Sequence, residues 1–395
     1  MAPRKIITIT RSNLHGLNSS DAAYITDVKD VSSYSWIDTS IPTIAVPGSP
    51  PLWSPPDTNL PLPKDTGLYY IAENAARLPA SPMAPIFRAI FATDPTFDVQ
   101  TIDVITDRHN IRKLLAYIKP GSDRDKGGSF TMRLELVRNT LLLCRLDLPA
   151  TEYIQPHEYR GHGHEYEKAY TTKQFHGTAG HHRMVSYRFC GLNFLIRYET
   201  DGCVSPKKEA DIAHKGLFDP SDLLSLPFAK QASPAVKRSS PKMKRSSTKI
   251  KVLLKGKTVP LESILEIKTR VLGRPLDFAD VASQLWVSQT SKLVRAFHVG
   301  GYFEPTYVED VSASLEKWES DNQKNLRTLG ALLAEFITVM RGSGGRGTLR
   351  YDAARDRLTI SRYTGETRLL PEDLYSEWNE RKRGAERTQE SRNRR

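Results

Sequence analysis

Two pairs of charged residues, each with one residue between its members, interrupt or end apolar runs of the chain. Glu266 and Lys268 lie within the apolar stretch Leu261–Arg270, and Glu199 and Asp201 follow another. Side chains alternate along a β-strand, so the members of each pair point to the same face. Because a buried charge is costly unless it is paired or binds a metal, neither pair is expected without a partner. Two such strands side by side would gather three acids and a lysine, which indicates a divalent cation on oxygen ligands with the lysine facing a phosphate.

Each pair taken alone has a simpler interpretation, because a solvated strand edge carries the same spacing. Glu262 also has the same parity as Glu266 along the predicted strand, so the two glutamates compete for the role of metal ligand. A divalent ion on these carboxylates would lower the pKa of a bound water and offset charge on a phosphodiester. Lys268 would orient that water or stabilise the pentavalent state.

A stretch dense in histidine, glycine and glutamate, Pro156–Thr172, precedes these strands and is predicted to form a loop and then a helix that carries Glu167. Six histidines in and after it raise zinc as an alternative: His157, His162, His164, His176, His181 and His182. The H-x-H spacing is poor for a structural zinc site and no cysteine joins it. Turn, surface or RNA-facing histidines are the favoured interpretation.

The composition favours an anionic partner. The chain of 395 residues has 57 Lys and Arg against 45 Asp and Glu, a formal net charge of +12, and such an excess is typical of proteins that bind nucleic acid. Its three cysteines have no metal-ligand spacing, which predicts reduced, intracellular thiols. No apolar run approaches the roughly 18 residues of a membrane span, so we expect no membrane partner.

The charge and proline patterns predict one large domain with an insertion. Residues 1–66 read as an extended, proline-rich arm that wraps over a surface, and residues 67–204 as the first part of the domain. Residues 205–249, with clustered Lys and Arg among Ser and Pro, are typical of a disordered basic insert. The domain resumes over 250–375, and 376–395 form a charged tail.

Two further local patterns predict elements near the charged pairs. Thr106 or Asp107 is placed to cap a helix over Ile111–Ile118. Phe130–Leu136 and Thr140–Leu146 alternate apolar and polar residues on either side of a short turn, which predicts a β-hairpin.

Taken in chain order, five short motifs resemble those of the DXO-type decapping nucleases. They are Gly163-His164-Glu165-Tyr166-Glu167, with His164 in the first aromatic slot of a G-aromatic-x-aromatic-E motif; Glu199-Thr200-Asp201 as E-x-D; Glu266-Ile267-Lys268 as E-x-K; the segment 105–115 with Arg108 as its arginine; and the segment 284–303 with Gln289 as its glutamine. No motif is specific alone, and the resemblance depends on their order over roughly residues 30 to 365.

The resemblance implies an α/β (α+β) fold of the PD-(D/E)XK nuclease type, a central mixed sheet flanked by helices. It implies metal-dependent removal of incomplete or atypical 5′ caps from RNA, with 5′–3′ exoribonuclease action as a further activity and Mg²⁺ or Mn²⁺ as the cofactor. RNA 5′ ends would be the substrate and a 5′–3′ exoribonuclease a partner. The nucleus, the cytoplasm or both would be the location, and the basic clusters between 205 and 249 resemble a nuclear localisation signal.

The family's residue roles carry over one by one. The resemblance implies that Glu167, Asp201 and Glu266 bind the metal, that Glu199 holds metal-bound water, that Lys268 and Gln289 place the attacking water, and that Arg108 contacts RNA phosphate. A guanidinium suits phosphate because its planar fork pairs bidentately.

Three departures from the family and two rival functions remain: His164 replaces an aromatic residue, the arginine segment diverges, and the second and third motifs lie far apart. Residues 202–265 separate the second and third motifs, far more than the short hairpin expected, although a long surface insertion costs little closure entropy. The main rival is a catalytically inactive RNA- or exonuclease-binding partner with the same fold, and the other is a DNA-directed nuclease.

Overall fold

The computed structural model describes residues 5–14, 16–17, 22–58, 60–119, 128–146, 149–205 and 249–378. The predicted basic insert at 205–249 and the predicted tail at 376–395 therefore lie almost entirely outside the described residues.

Strands hold more of the described residues than helices do. In chain order they are β1 (Lys5–Thr10), β2 (Thr26–Ile37), β3 (Thr43–Gly48), β4 (Leu52–Trp53), β5 (Gly67–Tyr70), β6 (Val104–Asp107), β7 (Phe130–Val137), β8 (Thr140–Arg145), β9 (Thr151–Ile154), β10 (Thr171–Thr172), β11 (Thr178–Phe189), β12 (Leu192–Thr200), β13 (Gly202–Cys203), β14 (Lys251–Gly256), β15 (Ile264–Val271), β16 (Lys292–Val299), β17 (Tyr302–Phe303), β18 (Glu309–Asp310), β19 (Arg346–Asp352) and β20 (Arg357–Arg362).

Two mixed sheets organise these strands within the described part of the chain. The large sheet has eleven strands in the order β1-β20-β19-β7-β8-β6-β12-β11-β2-β3-β14, and the small sheet has seven, with β10-β4-β13-β15-β16-β17 in line and β18 beside β16. β6 lies parallel to both β8 and β12, whereas β12 and β11 are antiparallel. A separate pair joins β5 to β9.

Helices pack on both faces of the large sheet and against the small sheet. They are α1 (Arg11–Leu14), α2 (Glu73–Arg77), α3 (Ala84–Thr93), α4 (Arg108–Ile118), α5 (Gly163–Tyr170), α6 (Phe278–Ser288), α7 (Ser312–Asp321) and α8 (Gln323–Gly342). The core under α4 and α8 takes in Phe194 and Ile196 of β12, while Leu195 between them enters the core under α3. A strand that is buried on both faces carries apolar side chains in both directions, which explains the continuous apolar run in this part of the sequence. None of the described helices has the length and apolar character needed to span a membrane.

The expected fold class is confirmed: the protein is a mixed α/β (α+β) domain with multi-stranded mixed sheets flanked by helices. The helix and the hairpin are also confirmed, as α4, which begins directly after Asp107, and as β7 with β8. Asp107 makes no side-chain capping bond, however, because its carboxylate pairs with Arg197 at 2.6 Å.

The expectation of a surface arm over residues 1–66 is wrong for its middle part. β2 and β3 are internal strands of the large sheet, and Tyr34 and Trp36 of β2 are fully buried. The proline content led to the wrong prediction because β3 contains a proline, Pro47, where β2 does not pair with it. Ala45 is the last residue of β3 that pairs with β2. Proline removes a ladder hydrogen bond only where a partner strand needs its N–H.

Candidate active site at the junction of the two sheets

The two charged pairs meet where the chain passes from the large sheet to the small one. β12 ends the large-sheet segment, Asp201 follows it, and β13 continues in the small sheet, where Gly202 pairs with Leu265 of β15. The Oδ2 atom of Asp201 accepts a 2.7 Å hydrogen bond from the backbone N–H of Ile267. The sequence suggested that β12 and β15 are neighbouring strands, but they lie in different sheets. The connection through Asp201 and β13 brings their charged residues together.

Glu266 is the centre of the cluster and is 2% exposed. Lys268 Nζ donates to its Oε1 atom at 2.6 Å, Arg108 Nη1 donates to its Oε2 atom at 2.9 Å, and the Gln284 side-chain amide donates to Oε1 as well. Burial disfavours the carboxylate, but the charges of Lys268 and Arg108 outweigh burial and lower the pKa of Glu266 to about 2. Its partners hold this glutamate ionised.

The neighbouring acids behave in the opposite way. Burial, reinforced by the charge of Glu266, raises the pKa of Asp201 to about 7. Burial and the charge of Asp201 raise the pKa of Glu167 well above its usual range. Desolvation also raises the pKa of Glu199, although part of this side chain reaches solvent. The cluster thus contains more carboxylates than Lys268 and Arg108 neutralise, which favours the protonated form of the acids whose pKa is raised.

The ligand types of this cluster suit a hard divalent cation, but within the described residues the oxygens of Glu167, Asp201 and Glu266 do not all lie within 4.8 Å of one another, so the three acids would have to move closer to share one. Carboxylate oxygens are the ligands that Mg²⁺, Mn²⁺ and Ca²⁺ prefer, and a cation among Glu167, Asp201 and Glu266 would replace the protons that their repulsion retains. In the bonds described, Oε1 of Glu266 accepts from Lys268 and Gln284 while Oε2 accepts from Arg108, so Oε2 keeps a lone pair for such a contact.

Glu262, the competitor of Glu266, lies in a different element. It belongs to a 3₁₀ turn, Leu261–Ser263, that precedes β15, and its side chain is exposed. Because β15 begins only at Ile264, alternation along a strand does not extend back to Glu262. Of the two glutamates, the fold brings Glu266 into the acidic cluster.

Gln289, predicted to place water, does not point into the cluster. It follows the last turn of α6 in a left-handed conformation, with φ of 53°, and its amide donates to the Trp286 carbonyl at 2.6 Å. Gln284, more than one turn earlier on the same helix, reaches Glu266 instead. Sequence reasoning missed Gln284, and the signal available was a buried amide on an otherwise apolar helical face.

Sequence reasoning missed Glu73 beside Glu199, and it considered His182 only as one of six histidines for zinc. Glu73 of α2 and His182 of β11 lie 3.1 Å apart, and together with Glu199 they form, within the described residues, the group of potential ligands whose atoms all lie within 4.8 Å of one another. Of the six histidines considered for zinc, His182 alone joins a group of this kind in the described ranges. No local spacing signals it, because its members are distant in sequence.

A cavity of about 200 Å³ opens beside Glu199. Its lining includes Glu73 and His182, and it also includes three cationic side chains, Arg108, Arg112 and Arg145. The cavity therefore connects the two clusters, which share Glu199, and it offers positive charge to an anionic ligand.

Comparison with known proteins gives a family and a fold. The family model described as Domain of unknown function (DUF8563) matches residues 4–378. No functionally curated protein matches the sequence. Among solved structures, S. pombe Rai1 in complex with 3′-FADP has a TM-score of 0.56 at 11% identity, covering 90% of this chain and 99% of that one.

Two further Rai1 structures give the same result. Candida albicans Rai1 in complex with pU5 and Mn²⁺ has a TM-score of 0.54 at 12% identity, covering 95% and 99% of the two chains. Scheffersomyces stipitis Rai1 in complex with (3′-NADP)⁺ and calcium has a TM-score of 0.56 at 11% identity, covering 96% and 100%. Rai1 belongs with the DXO-type proteins to which the motifs pointed, and at these identities the likeness is one of fold. The chain belongs to the DUF8563 family and has the fold of the Rai1 proteins.

Proposed function

We propose that this protein is a metal-dependent hydrolase of RNA 5′ ends that removes incomplete or atypical caps, with 5′–3′ exoribonuclease action as a further activity. The observation that carries the proposal is the buried cluster in which Glu266 binds Lys268 and Arg108. The negative charge of Glu266 contributes to the raised pKa of both Asp201 and Glu167. These are the residues that the resemblance to the decapping nucleases picks out, and the chain has the fold of that group.

In this proposal Glu167, Asp201 and Glu266 would hold Mg²⁺ or Mn²⁺, which when bound supplies positive charge for a phosphodiester and lowers the pKa of water. The charge of Glu266 outweighs burial and raises the pKa of Lys268. Lys268 therefore stays an ammonium, suited to donate to a phosphate oxygen or to orient the attacking water.

The remaining polar groups suit positioning. The Arg108 guanidinium reaches from the first residue of α4 to Glu266 and lines the cavity, so it can pair with a substrate phosphate. Gln284, rather than Gln289, is the amide within reach of the cluster. Glu199 lines the cavity and is placed to accept a hydrogen bond from water there.

The choice of RNA ends rests on the ligands of the similar structures. S. pombe Rai1 was solved with 3′-FADP and Candida albicans Rai1 with pU5 and Mn²⁺. Such ligands carry phosphates, and the arginines of the present cavity suit phosphates electrostatically.

The basic clusters between residues 205 and 249 are consistent with a nuclear or cytoplasmic location, which imaging of the tagged full chain would test.

The test is a time course on RNAs that differ only at the 5′ end: monophosphate, triphosphate, unmethylated cap and NAD cap, each with Mg²⁺ or Mn²⁺. A DNA strand with a 5′ phosphate serves as the control for the DNA-directed alternative. Turnover of at least one RNA end should vanish with chelator and in a Glu167→Gln, Asp201→Asn double variant. Wild-type protein that consumes none of these RNAs would overturn the proposal.

A second candidate is a binding protein that keeps the fold without turnover, with an RNA or a 5′–3′ exoribonuclease as its partner. One observation favours it: Glu266 is already satisfied by Lys268, Arg108 and Gln284. Metal or RNA binding that raises the melting temperature while no RNA is consumed would select this candidate.

A further inference from the structure

Three side chains from separate elements converge near the end of β12. Glu73 comes from α2, His182 from β11 and Glu199 from β12. One imidazole nitrogen and two carboxylate oxygens, one from each residue, lie within 4.8 Å of one another. Ligand atoms around a tetrahedral Zn²⁺ or an octahedral Mn²⁺ lie roughly 3 Å apart at bond lengths of about 2.0–2.2 Å, so small movements would complete such a site.

The ligands are oriented by neighbours that do not compete for the same atoms. Arg77 Nε donates at 2.7 Å to the Oε1 atom of Glu73, which leaves Oε2 directed toward His182 Nε2 at 3.1 Å. The ring of Tyr34 stacks on the His182 imidazole, with centroids 5.1 Å apart and planes inclined by 28°. Outer contacts of this kind fix ligand orientation in metal sites.

Gly180 makes room for the two carboxylates. A Cβ atom at this position would lie 2.1 Å from the Oε2 atom of Glu73 and 2.8 Å from the Oε1 atom of Glu199. Both oxygens therefore occupy the space that any other residue would fill. Two carboxylates directed into one small volume repel each other unless a cation lies between them, and Arg77 contacts only Glu73 among these two acids in the bonds described.

We propose that Glu73, His182 and Glu199 bind a second divalent cation, distinct from the one proposed for the cluster around Glu266. Glu199 lines the cavity beside this second site. An imidazole with two carboxylates selects Mn²⁺, Fe²⁺ or Zn²⁺ over Mg²⁺, because Mg²⁺ favours oxygen ligands and water. All three residues line the cavity, so the remaining coordination positions are open to solvent or to an anionic ligand. The site shares Glu199 with the proposed reaction, but the binding of a cation to Glu73, His182 and Glu199 does not require RNA turnover.

The alternative is a structural ion pair in which His182 and Glu73 only hold α2 against β11. The two interpretations differ in one observable, because a metal site places an imidazole nitrogen on the cation and an ion pair does not. The cluster of Glu167, Asp201 and Glu266 offers carboxylate oxygens, so a nitrogen ligand cannot come from it.

The experiment is pulsed electron paramagnetic resonance of the full chain titrated with Mn²⁺, with binding stoichiometry from calorimetry. We expect a ¹⁴N coupling to bound Mn²⁺ in the wild type that changes to ¹⁵N when histidine is isotopically labelled. The coupling should disappear in His182→Phe, which keeps a ring to stack on Tyr34. It should persist in Glu167→Gln, the matched control in the other cluster.

Glu73→Gln provides a second variant, because it keeps the size of the side chain and an oxygen for Arg77. Its Mn²⁺ affinity at the nitrogen-coupled site should fall by more than about 10-fold. Circular dichroism checks that each variant is folded, and if His182→Phe is not, Glu73→Gln decides. A wild type without nitrogen coupling, a coupling that survives His182→Phe, or an unchanged affinity in Glu73→Gln would overturn the proposal.

Discussion

Two clusters meet at the end of β12, and they reach charge balance in different ways. The cluster around Glu266 combines carboxylates with two cationic side chains, Lys268 and Arg108, and it is buried. The cluster around Glu73 combines two carboxylates with a histidine and has Arg77 behind it. The first suits a phosphate as well as the metal proposed for its acids, since its two cationic side chains can exchange partners. The second offers an imidazole nitrogen beside two carboxylates, which suits a cation with a nitrogen ligand.

The largest expected effect is on RNA turnover, and it distinguishes the proposed catalytic role of the cluster around Glu266 from cation binding by the cluster around Glu73. Lys268→Met should lower RNA turnover by about 100- to 1,000-fold, the loss typical of removing one donor that stabilises developing charge. Initial rates at saturating RNA measure it. Nitrogen-coupled Mn²⁺ binding should stay unchanged, and turnover within twofold of the wild type would remove Lys268 from the mechanism.

Stability distinguishes Glu266 from Glu262. Glu266→Ala leaves Lys268 and Arg108 without their shared partner, and breaking a buried pair costs about 3–5 kcal/mol. The two cations keep 30% and 13% of their side chains exposed, so we expect the low end, about 3 kcal/mol, in urea unfolding without metal. Glu262→Ala, at an exposed turn, should stay within about 0.5 kcal/mol. Equal losses in the two variants would contradict the assignment of Glu266 to the cluster.

The pH dependence of metal binding should differ between the wild type and a variant of the first cluster. The pKa of Asp201 is raised to about 7 by burial and by Glu266, so below pH 7 a proton occupies the carboxylate that a cation needs. Apparent Mn²⁺ affinity at this cluster should therefore fall by about tenfold for each pH unit below 7, per proton displaced. Calorimetry at pH 6, 7 and 8 in two buffers of different ionisation enthalpy measures the protons released.

Asp201→Asn is the control for this dependence. The variant should bind more weakly at pH 8 and lose most of the slope between pH 6 and pH 7. An affinity in the wild type that does not change with pH would mean that Asp201 is not a ligand.

The contrast between the clusters also explains what the sequence could predict. Glu199 with Asp201 and Glu266 with Lys268 are each close in sequence, and alternation along a strand is a local rule, so both pairs were visible. Glu73 and His182 come together only because α2 packs beside β11, and no local spacing encodes that contact. The predicted surface arm failed for a related reason. The prolines around β3 suggested an extended surface arm, while the position of that strand in the sheet is set by pairing with β2 and with β14, which is distant in sequence.

The smallest expected effect, on stability and on RNA turnover, comes from the amide of a single residue. It compares a contact that the sequence did not predict with a residue that it did predict. Gln284→Ala removes a hydrogen bond to the charged Glu266, and bonds to charged groups contribute about 1.5–3 kcal/mol. Because Lys268 and Arg108 remain on the same carboxylate, we expect a loss near the lower limit in unfolding free energy and a fall of several-fold in RNA turnover. Gln289→Ala is the matched control on the same helix end, since its amide contacts a backbone carbonyl outside the cluster. Turnover that falls in Gln289→Ala and not in Gln284→Ala would mean that substrate binding rearranges the end of α6, and that the motif order in the sequence describes the working site better than the contacts of the free protein.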